Sequence, residues 1–159
     1  MVRRADPAAV AADVADPEMP ELTLGDLGII RDVSIVHDRV SVRITPTFTG
    51  CPATSVMAHD LEAALHAAGW PDVEVLTVLD PAWTTEWITP TGRAKLTAAG
   101  IGAPPSLAGG FDQAVAAPVA CPRCGSRHTR RRSLFGSSLC RDAHVCETCH
   151  EPFERVKPI

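Results

Sequence analysis

Residues Ile44 to Ala58 read ITPTFTGCPATSVMA and mark a change from one periodicity to another. Before this stretch, residues 40–44 alternate apolar and polar side chains, which is the two-residue period of a half-buried strand. After it, apolar side chains recur at helical spacing as far as Ala68, and Gly69 provides a stop signal. The stretch therefore predicts a strand, a tight turn and a helix that covers about residues 52–68.

The predicted turn places Cys51 where a reactive or metal-binding sulfur would lie. Proline is favoured at the first helical position, so Pro52 is expected to start the helix, with Cys51 at or next to the N-cap. Backbone N–H groups and the positive end of the helix dipole stabilise a thiolate there, and Gly50 allows the sharp turn. The alternative is that Cys51 is a small buried apolar residue, as free cysteines often are. Its position alone leaves both interpretations open.

Two further segments complete a predicted three-stranded sheet. Residues 29–36 and 39–45 are typical of a hairpin with His37-Asp38 at its turn, and residues 73–79 alternate in the same way. The predicted buried face of the hairpin consists of Val33, Ile35, Val40, Val42 and Ile44.

Helices are predicted at both ends of this region. One covers residues 7–14, with Asp6 as N-cap and Pro7 at the first helical position, and another covers residues 89–99. The order helix–strand–strand–helix–strand–helix predicts an α+β domain, with helices packed on a small three-stranded sheet, over residues 1–105. Residues 106–118 are rich in Pro, Gly and Ala without a period and are predicted to form a linker to a second domain, residues 119–159.

The second predicted domain contains two Cys-x-x-Cys pairs. Residues 121–149 read CPRCGSRHTRRRSLFGSSLCRDAHVCETC, so 21 residues separate the pairs, close to the spacing of zinc ribbons. Two cysteines on a tight turn can direct both sulfurs at one ion, and two such turns complete a tetrahedral site that suits Zn²⁺. Disulfides, free thiols or an iron–sulfur centre are the alternatives. The predicted ligands of a structural zinc ion are Cys121, Cys124, Cys146 and Cys149.

Other residues of this domain receive weaker assignments. Cys140 is expected to pack in the hairpin of the ribbon. Three nearby histidines are expected to lie at the surface or next to the ligands, because four cysteines already satisfy zinc: His128, His144 and His150. A basic cluster could bind nucleic acid, but a solvated face or a docking surface for an acidic partner is favoured: Arg127, Arg130, Arg131 and Arg132.

Composition restricts the function further. The chain of 159 residues contains six cysteines, and its N-terminus shows no apolar segment of a secretory signal, so thiolate and metal chemistry in the cytoplasm is expected rather than disulfides. No apolar run approaches the length of a membrane span. Residues 1–118 carry a net charge of −8 and residues 119–159 one of +4, which indicates two units of different character.

Short motifs in the first domain resemble the signatures of the MIP18 (DUF59) family. They are Asp16 to Pro20 (DPEMP), Asp26 to Ile30 (DLGII) and Thr47 to Pro52 (TFTGCP). Proteins of this family act in iron–sulfur cluster assembly and metallocentre maturation. The resemblance implies that Cys51 is the functional thiol and makes Asp16 and Glu18 candidates for an acidic partner site. A thiolate with one or two carboxylates could hold an iron ion transiently. The alternatives are a turn residue for Asp16 and a solvated charge for Glu18.

Motifs nearer the C-terminus narrow the resemblance. The segments PAWTTEW (81–87), CPRCGS (121–126), FGSSLC (135–140) and CETCHEPF (146–153) are similar to those of the accessory D proteins of bacterial phenylacetyl-CoA epoxidase systems. This resemblance implies protein partners, namely the oxygenase or the reductase component of the epoxidase.

Three functions follow as hypotheses. The first is an accessory factor for metallocentre or iron–sulfur maturation of the multicomponent phenylacetyl-CoA epoxidase in aerobic phenylacetate catabolism. The second is a non-catalytic scaffold or interaction component of the oxygenase complex, and the third, least favoured, is a nucleic-acid-binding zinc ribbon. An independent enzyme is not expected, because the sequence offers no Ser-His-Asp arrangement, no phosphate-binding glycine loop and no Glu-x-x-His iron motif.

Overall fold

The computed structural model describes residues 4–159 and divides into two compact units, Met1–Trp83 and Thr84–Ile159. The first unit contains helix α1 (Pro7–Ala12), strands β1 (Ile30–Val36) and β2 (Arg39–Ile44), helix α2 (Thr54–Ala67) and strand β3 (Asp72–Thr77). The second contains helix α3 (Pro90–Ala98), strand β4 (Ile101–Gly102), helix α4 (Phe111–Ala116) and strands β5 (Thr129–Ser133), β6 (Arg141–Cys146) and β7 (Pro152–Val156). The predicted α+β class is confirmed.

The first unit is a three-stranded sheet in the order β1-β2-β3. β1 and β2 are antiparallel, whereas β2 and β3 are parallel and are connected through α2, which packs against β3. The hairpin turn is the predicted one, with His37 at φ 50° and Asp38 at φ 66°, as a two-residue turn of the primed type requires. Side chains that are at most 1% exposed form the core: Leu22, Leu24, Leu27, Ile29, Val40, Val42, Ile44, Met57, Leu61 and Leu65.

The predicted buried face of the hairpin holds for β2 but not for all of β1. Val40, Val42 and Ile44 are buried, Val33 is half-buried, and Ile35 is 50% exposed. The prediction for Ile35 was wrong because β1 is the edge strand, while α2 covers the sheet on the side of β3. An alternating pattern indicates a strand but does not show how far the helices extend over it.

The structure confirms the predicted start of α1, whereas α2 starts two residues later than predicted. Asp6 caps α1, and its Oδ1 accepts a hydrogen bond from the backbone N–H of Ala8 at 3.2 Å. The helix α2 begins at Thr54 with Ala53 as N-cap, so Pro52 is not at the first helical position. Cys51 instead lies in a turn that precedes the helix, and its carbonyl accepts the Thr54 N–H at 3.2 Å.

One glycine allows the segment before β1 to pass close to α1. The Gly25 N–H donates to the carbonyl of Ala12 at 3.1 Å. A Cβ atom at position 25 would lie 2.8 Å from that oxygen and 2.9 Å from the Cβ of Ala12. Both distances are too short for van der Waals contact, so only glycine fits here without a shift of the backbone.

The second unit is built on a four-stranded sheet in the order β4-β7-β6-β5. β5, β6 and β7 are antiparallel, and the two-residue strand β4 runs parallel to β7. β5 is an edge strand whose pairing with β6 is interrupted by a bulge between Arg131 and Ser133. Four of its five residues are exposed.

The boundary between the units differs from the predicted one at residue 105. The hydroxyl of Thr84 donates to the carbonyl of Ile159 at 2.7 Å, and the Thr85 N–H donates to the same oxygen at 3.0 Å. The β4–β7 pairing also joins residues 101–102 to the ribbon strands. Residues 84–105, including α3, therefore belong to the second unit. The predicted linker contains α4.

Within residues 4–159, no helix combines the length and the apolar character that a transmembrane segment would need.

The contact between Gly25 and Ala12 is testable by mutation. We expect Gly25→Ala to lower the free energy of unfolding by about 1–3 kcal/mol, the usual cost of overpacking. Gly50→Ala is the matched control, because a Cβ there would meet only the ring of Phe48, at 3.8 Å. Urea unfolding followed by circular dichroism measures both. Equal stability of the two variants would contradict the close approach.

Candidate metal centre and functional thiol

Two turns in the second unit hold cysteines in the same backbone geometry. In the first, the Cys121 N–H donates to the Ser126 carbonyl and the Gly125 N–H donates to the Cys121 carbonyl, both at 2.9 Å. In the second, Cys146 is bonded in the same way to Glu151 and His150, again at 2.9 Å. The fifth residue of each turn is left-handed, with φ 74° at Gly125 and φ 61° at His150. Glycine adopts this conformation readily, and His150 shows that the turn forms without it.

The two turns bring four sulfurs together. The ligand atoms of Cys121, Cys124, Cys146 and Cys149 all lie within 4.8 Å of one another. Sγ of Cys121 is 3.7 Å from that of Cys149, and Sγ of Cys124 is 3.6 Å from that of Cys146. A tetrahedral zinc site with Zn–S bonds of about 2.3 Å has sulfurs roughly 3.8 Å apart, so the donor set and its dimensions fit Zn²⁺. The six cysteines all lie within residues 4–159 and none of them forms a disulfide in this structure, which favours a metal site over the disulfide alternative.

The thiols of this four-cysteine group differ in acidity. The backbone N–H of Cys149, 3.5 Å from Sγ of Cys146, lowers the pKa of Cys146 to about 6, against the effect of burial. The backbone N–H of Glu151 favours a thiolate at Cys149, but burial and the neighbouring sulfurs outweigh it and raise its pKa to about 12. Near neutral pH the thiolate form is therefore favoured at Cys146 and disfavoured at Cys149, so a bound metal must displace the proton of Cys149.

Contacts outside the four-cysteine group join the two turns. Arg123 forms an ion pair with Glu151, and the hydroxyls of Ser126 and Thr148 are 2.8 Å apart. Underneath, the buried side chains of Val119 and Phe153 cluster with Cys121 and Cys146. The apolar core at this end of the unit is small.

The remaining candidates of the ribbon lie outside the four-cysteine group. Cys140 is buried, with its Sγ 3.1 Å from the hydroxyl of Ser138. His128 and His150 are exposed. His144 is buried and stacks on Phe153, with ring centroids 5.6 Å apart. Its Nε2 lies 2.9 Å from a carboxylate oxygen of Asp142.

A buried ionic group escaped the sequence analysis. Nε and Nη2 of Arg155 donate to the two carboxylate oxygens of Asp142 at 3.1 and 2.6 Å, and both residues are at least 98% buried. These hydrogen bonds and that of His144 lower the pKa of Asp142 to about 2, although burial acts in the opposite direction. The alternating burial of β6 places Asp142, His144 and Cys146 on one face. In the sequence, this alternation of every second residue up to Cys146 is the signal that could have predicted Asp142 and His144 as buried residues.

In the first unit, Cys51 is buried in the turn between β2 and α2. Its N–H donates to the carbonyl of Phe48 at 3.2 Å, and the hydroxyl of Thr54 donates to the Cys51 carbonyl at 2.9 Å. These bonds fix the backbone on both sides of the thiol. The N-cap of α2 is Ala53 rather than Cys51. Cys51 therefore lies two residues before the N-cap, where the helix dipole stabilises a thiolate less than predicted.

The acidic candidates Asp16 and Glu18 lie in a turn of the same unit. Oδ1 of Asp16 accepts hydrogen bonds from the backbone N–H groups of Glu18 at 2.9 Å and Met19 at 2.8 Å, and the side chain is buried. These hydrogen bonds are typical of a turn residue, which was the alternative interpretation of Asp16. Among residues 4–159, the four cysteines form the one group of three or more potential metal ligands, so Asp16, Glu18 and Cys51 are not gathered into a three-ligand site.

Two protein families match separate parts of the chain. Residues 9–77 match the iron–sulfur cluster assembly protein family, and residues 108–157 match the PaaD zinc beta ribbon domain. The first match includes Cys51, and the second includes all four cysteines of the ribbon.

Relatives and solved structures agree with this division. The chain is 41% identical over 152 residues to an Escherichia coli K12 protein that is provisionally named as one of the subunits of 1,2-phenylacetyl-CoA epoxidase, covering 95% of this chain and 90% of that protein. A DUF59 domain from Bacillus anthracis matches 57% of this chain and 87% of its own, with 25% identity and a TM-score of 0.53. A conserved hypothetical protein from Thermotoga maritima matches 60% of this chain and 98% of its own, with 31% identity and a TM-score of 0.50.

The four-cysteine group predicts how metal content responds to mutation. We expect Cys124→Ser to remove most of the zinc from protein purified with about one zinc per chain, because three thiols and an alcohol bind it far less tightly. Cys124 is exposed, so its replacement leaves the core intact. Cys140→Ser, a cysteine of the same unit outside the group, should keep its zinc. Elemental analysis measures both, and equal zinc loss from the two variants would contradict the assignment.

Proposed function

The chain belongs to the family of the phenylacetyl-CoA epoxidase D proteins, and we propose that it is an accessory factor in maturation of the metal centres of this multicomponent epoxidase. In this proposal Cys51 is the working thiol of the first unit, and the ribbon cysteines hold a structural zinc ion. The client is the diiron oxygenase component or the [2Fe–2S] reductase component. The role is accessory rather than catalytic.

The position of Cys51 is the observation that carries the proposal. It lies within residues 9–77, which match iron–sulfur cluster assembly proteins, in a turn whose backbone is fixed by hydrogen bonds on both sides. Thiolate is a ligand that iron and iron–sulfur clusters accept readily. A thiolate outside a complete ligand set holds iron loosely and leaves coordination positions for the receiving protein, as transfer requires.

The separation of the two sulfur sites supports different roles for them. The ribbon provides four sulfurs at spacings that fit zinc and close the coordination sphere, which is typical of structural sites. Asp16 is engaged in its own turn and is therefore not proposed as an iron ligand. Glu18, half-buried in that turn, is retained only as a candidate for contact with a partner.

Removal of the thiol tests the maturation role. We expect co-expression of the client components with Cys51→Ala to yield at least about tenfold less iron per client than wild type, since even loss of an outer-shell partner lowers metal affinity about 10–100-fold. Cys140→Ala, which removes another buried cysteine, is the control. Elemental analysis of the purified oxygenase and reductase gives the result. Full client iron with Cys51→Ala would overturn the proposal.

A second function, docking within the oxygenase complex, is favoured by one surface. The loop of residues 134–139 between β5 and β6 exposes three large apolar side chains, Leu134 at 57%, Phe135 at 60% and Leu139 at 58%. Such side chains close together on a small unit are typical of a protein interaction surface.

Mutation of this loop separates docking from maturation. We expect Leu134→Ser/Leu139→Ser to reduce co-purification with the oxygenase component by at least about tenfold, because burial of a leucine contributes about 1.5–3 kcal/mol. Leu79→Ser, an exposed leucine of the first unit, is the control. If co-purification of the double variant matches that of the control, this loop is not the docking surface.

A further inference from the structure

A cavity of about 320 Å³ lies within the second unit. It is lined by the segment of residues 115–119, which includes the last residues of α4, and by the face of the sheet with Arg131, His144 and Arg155. These three side chains share a face because Arg131 pairs with His144 across β5 and β6, and Asp142 pairs with Arg155 across β6 and β7. Arg127 completes the rim.

Arg155 has hydrogen-bonding capacity that the protein leaves unused. A guanidinium carries five N–H donors, and Asp142 accepts two of them, from Nε and Nη2. Nη1 is buried and has no hydrogen-bond partner among residues 4–159. A buried charged donor without an acceptor is destabilising, so an acceptor that reached Nη1 from the cavity, which Arg155 lines, would be bound favourably.

The charge of the cavity favours an anion. Asp142 balances Arg155, but the side chains of Arg127 and Arg131 are exposed and form no hydrogen bond or ion pair with any described residue. By contrast, Arg130, the neighbour of Arg131 on β5, is paired with Glu147. No carboxylate is among the described residues that line the cavity. Arginine forks match the planar geometry of carboxylates and the oxygens of phosphates.

The segment of residues 115–119 gives the cavity an apolar side. Residues 115–119 are Val, Ala, Ala, Pro and Val. A second cavity of about 250 Å³ shares Val115, Arg131 and Arg155 with the first and adds apolar residues such as Phe111, with Asp142 and Lys157 as its further charged residues. A bare inorganic ion would leave these surfaces in contact with water, whereas a ligand with a hydrocarbon part would cover them.

We infer that this cavity binds an oxyanion, a carboxylate or a phosphate, that is attached to an apolar group. The oxyanion accepts hydrogen bonds from Arg155 and Arg131, with Arg127 adding positive charge, and the apolar group lies against residues 115–119. The site uses neither Cys51 nor the four-cysteine group, so it stands independently of the proposed maturation role.

Calorimetric titration of the full zinc-loaded chain tests this site with three probes. Hexanoate and hexyl phosphate carry the two oxyanions on one hydrocarbon chain, and hexanamide carries a neutral group of similar shape. We expect at least one oxyanion to bind at millimolar or lower concentration, and hexanamide at least about tenfold more weakly, because hydrogen bonds to charged groups are the stronger ones. The ratio of the two oxyanion affinities identifies the head group.

Two arginines on β5 provide matched variants. We expect Arg131→Ala to weaken binding of the oxyanion at least about tenfold, while Arg132→Ala, which removes an equal charge from a residue outside the cavity, changes it less than about twofold. Both side chains are exposed, so both variants should fold. Three results would each overturn the inference: no binding of either oxyanion up to about 10 mM, equal binding of hexanamide, or equal losses in the two variants.

Discussion

The convergence of four sulfurs from two turns is the constraint on which the second unit depends. The apolar cluster beneath the sulfurs consists of Val119 and Phe153 with two of the cysteines, and the adjoining face of the sheet carries Asp142, His144 and Arg155. A buried ion pair contributes little net stability, because desolvation of its charges offsets their attraction. A metal bound by the four cysteines would therefore supply much of the folding free energy, as in other small units with little core.

The first unit is stabilised in a different way, and this affects what its cysteine can do. Ten large apolar side chains with almost no exposure are buried between the sheet and its helices, so hydrophobic burial is the main source of its stability. Cys51 lies in the turn between β2 and α2, outside this group of ten side chains.

Local sequence patterns predicted local structure correctly. The predictions failed where the structure depends on contacts between residues that are distant in the sequence. The hairpin at His37-Asp38, the cap at Asp6 and the paired Cys-x-x-Cys turns each depend on a few neighbouring residues. The exposure of Ile35 depends on which strand lies at the edge, and the boundary at Trp83 depends on pairing of a two-residue strand with β7. The contact between Asp142 and Arg155 requires the register of β6 and β7, which no local pattern contains.

The arginine-rich edge strand β5 also has a consequence for self-association. An unpaired edge offers backbone N–H and C=O groups to the same strand of another molecule, which is a route to aggregation. The bulge between Arg131 and Ser133 interrupts the regular spacing of those groups, and three successive arginines place like charges on any second copy that approaches. The bulge and the like charges therefore make pairing of this edge with a second copy unfavourable.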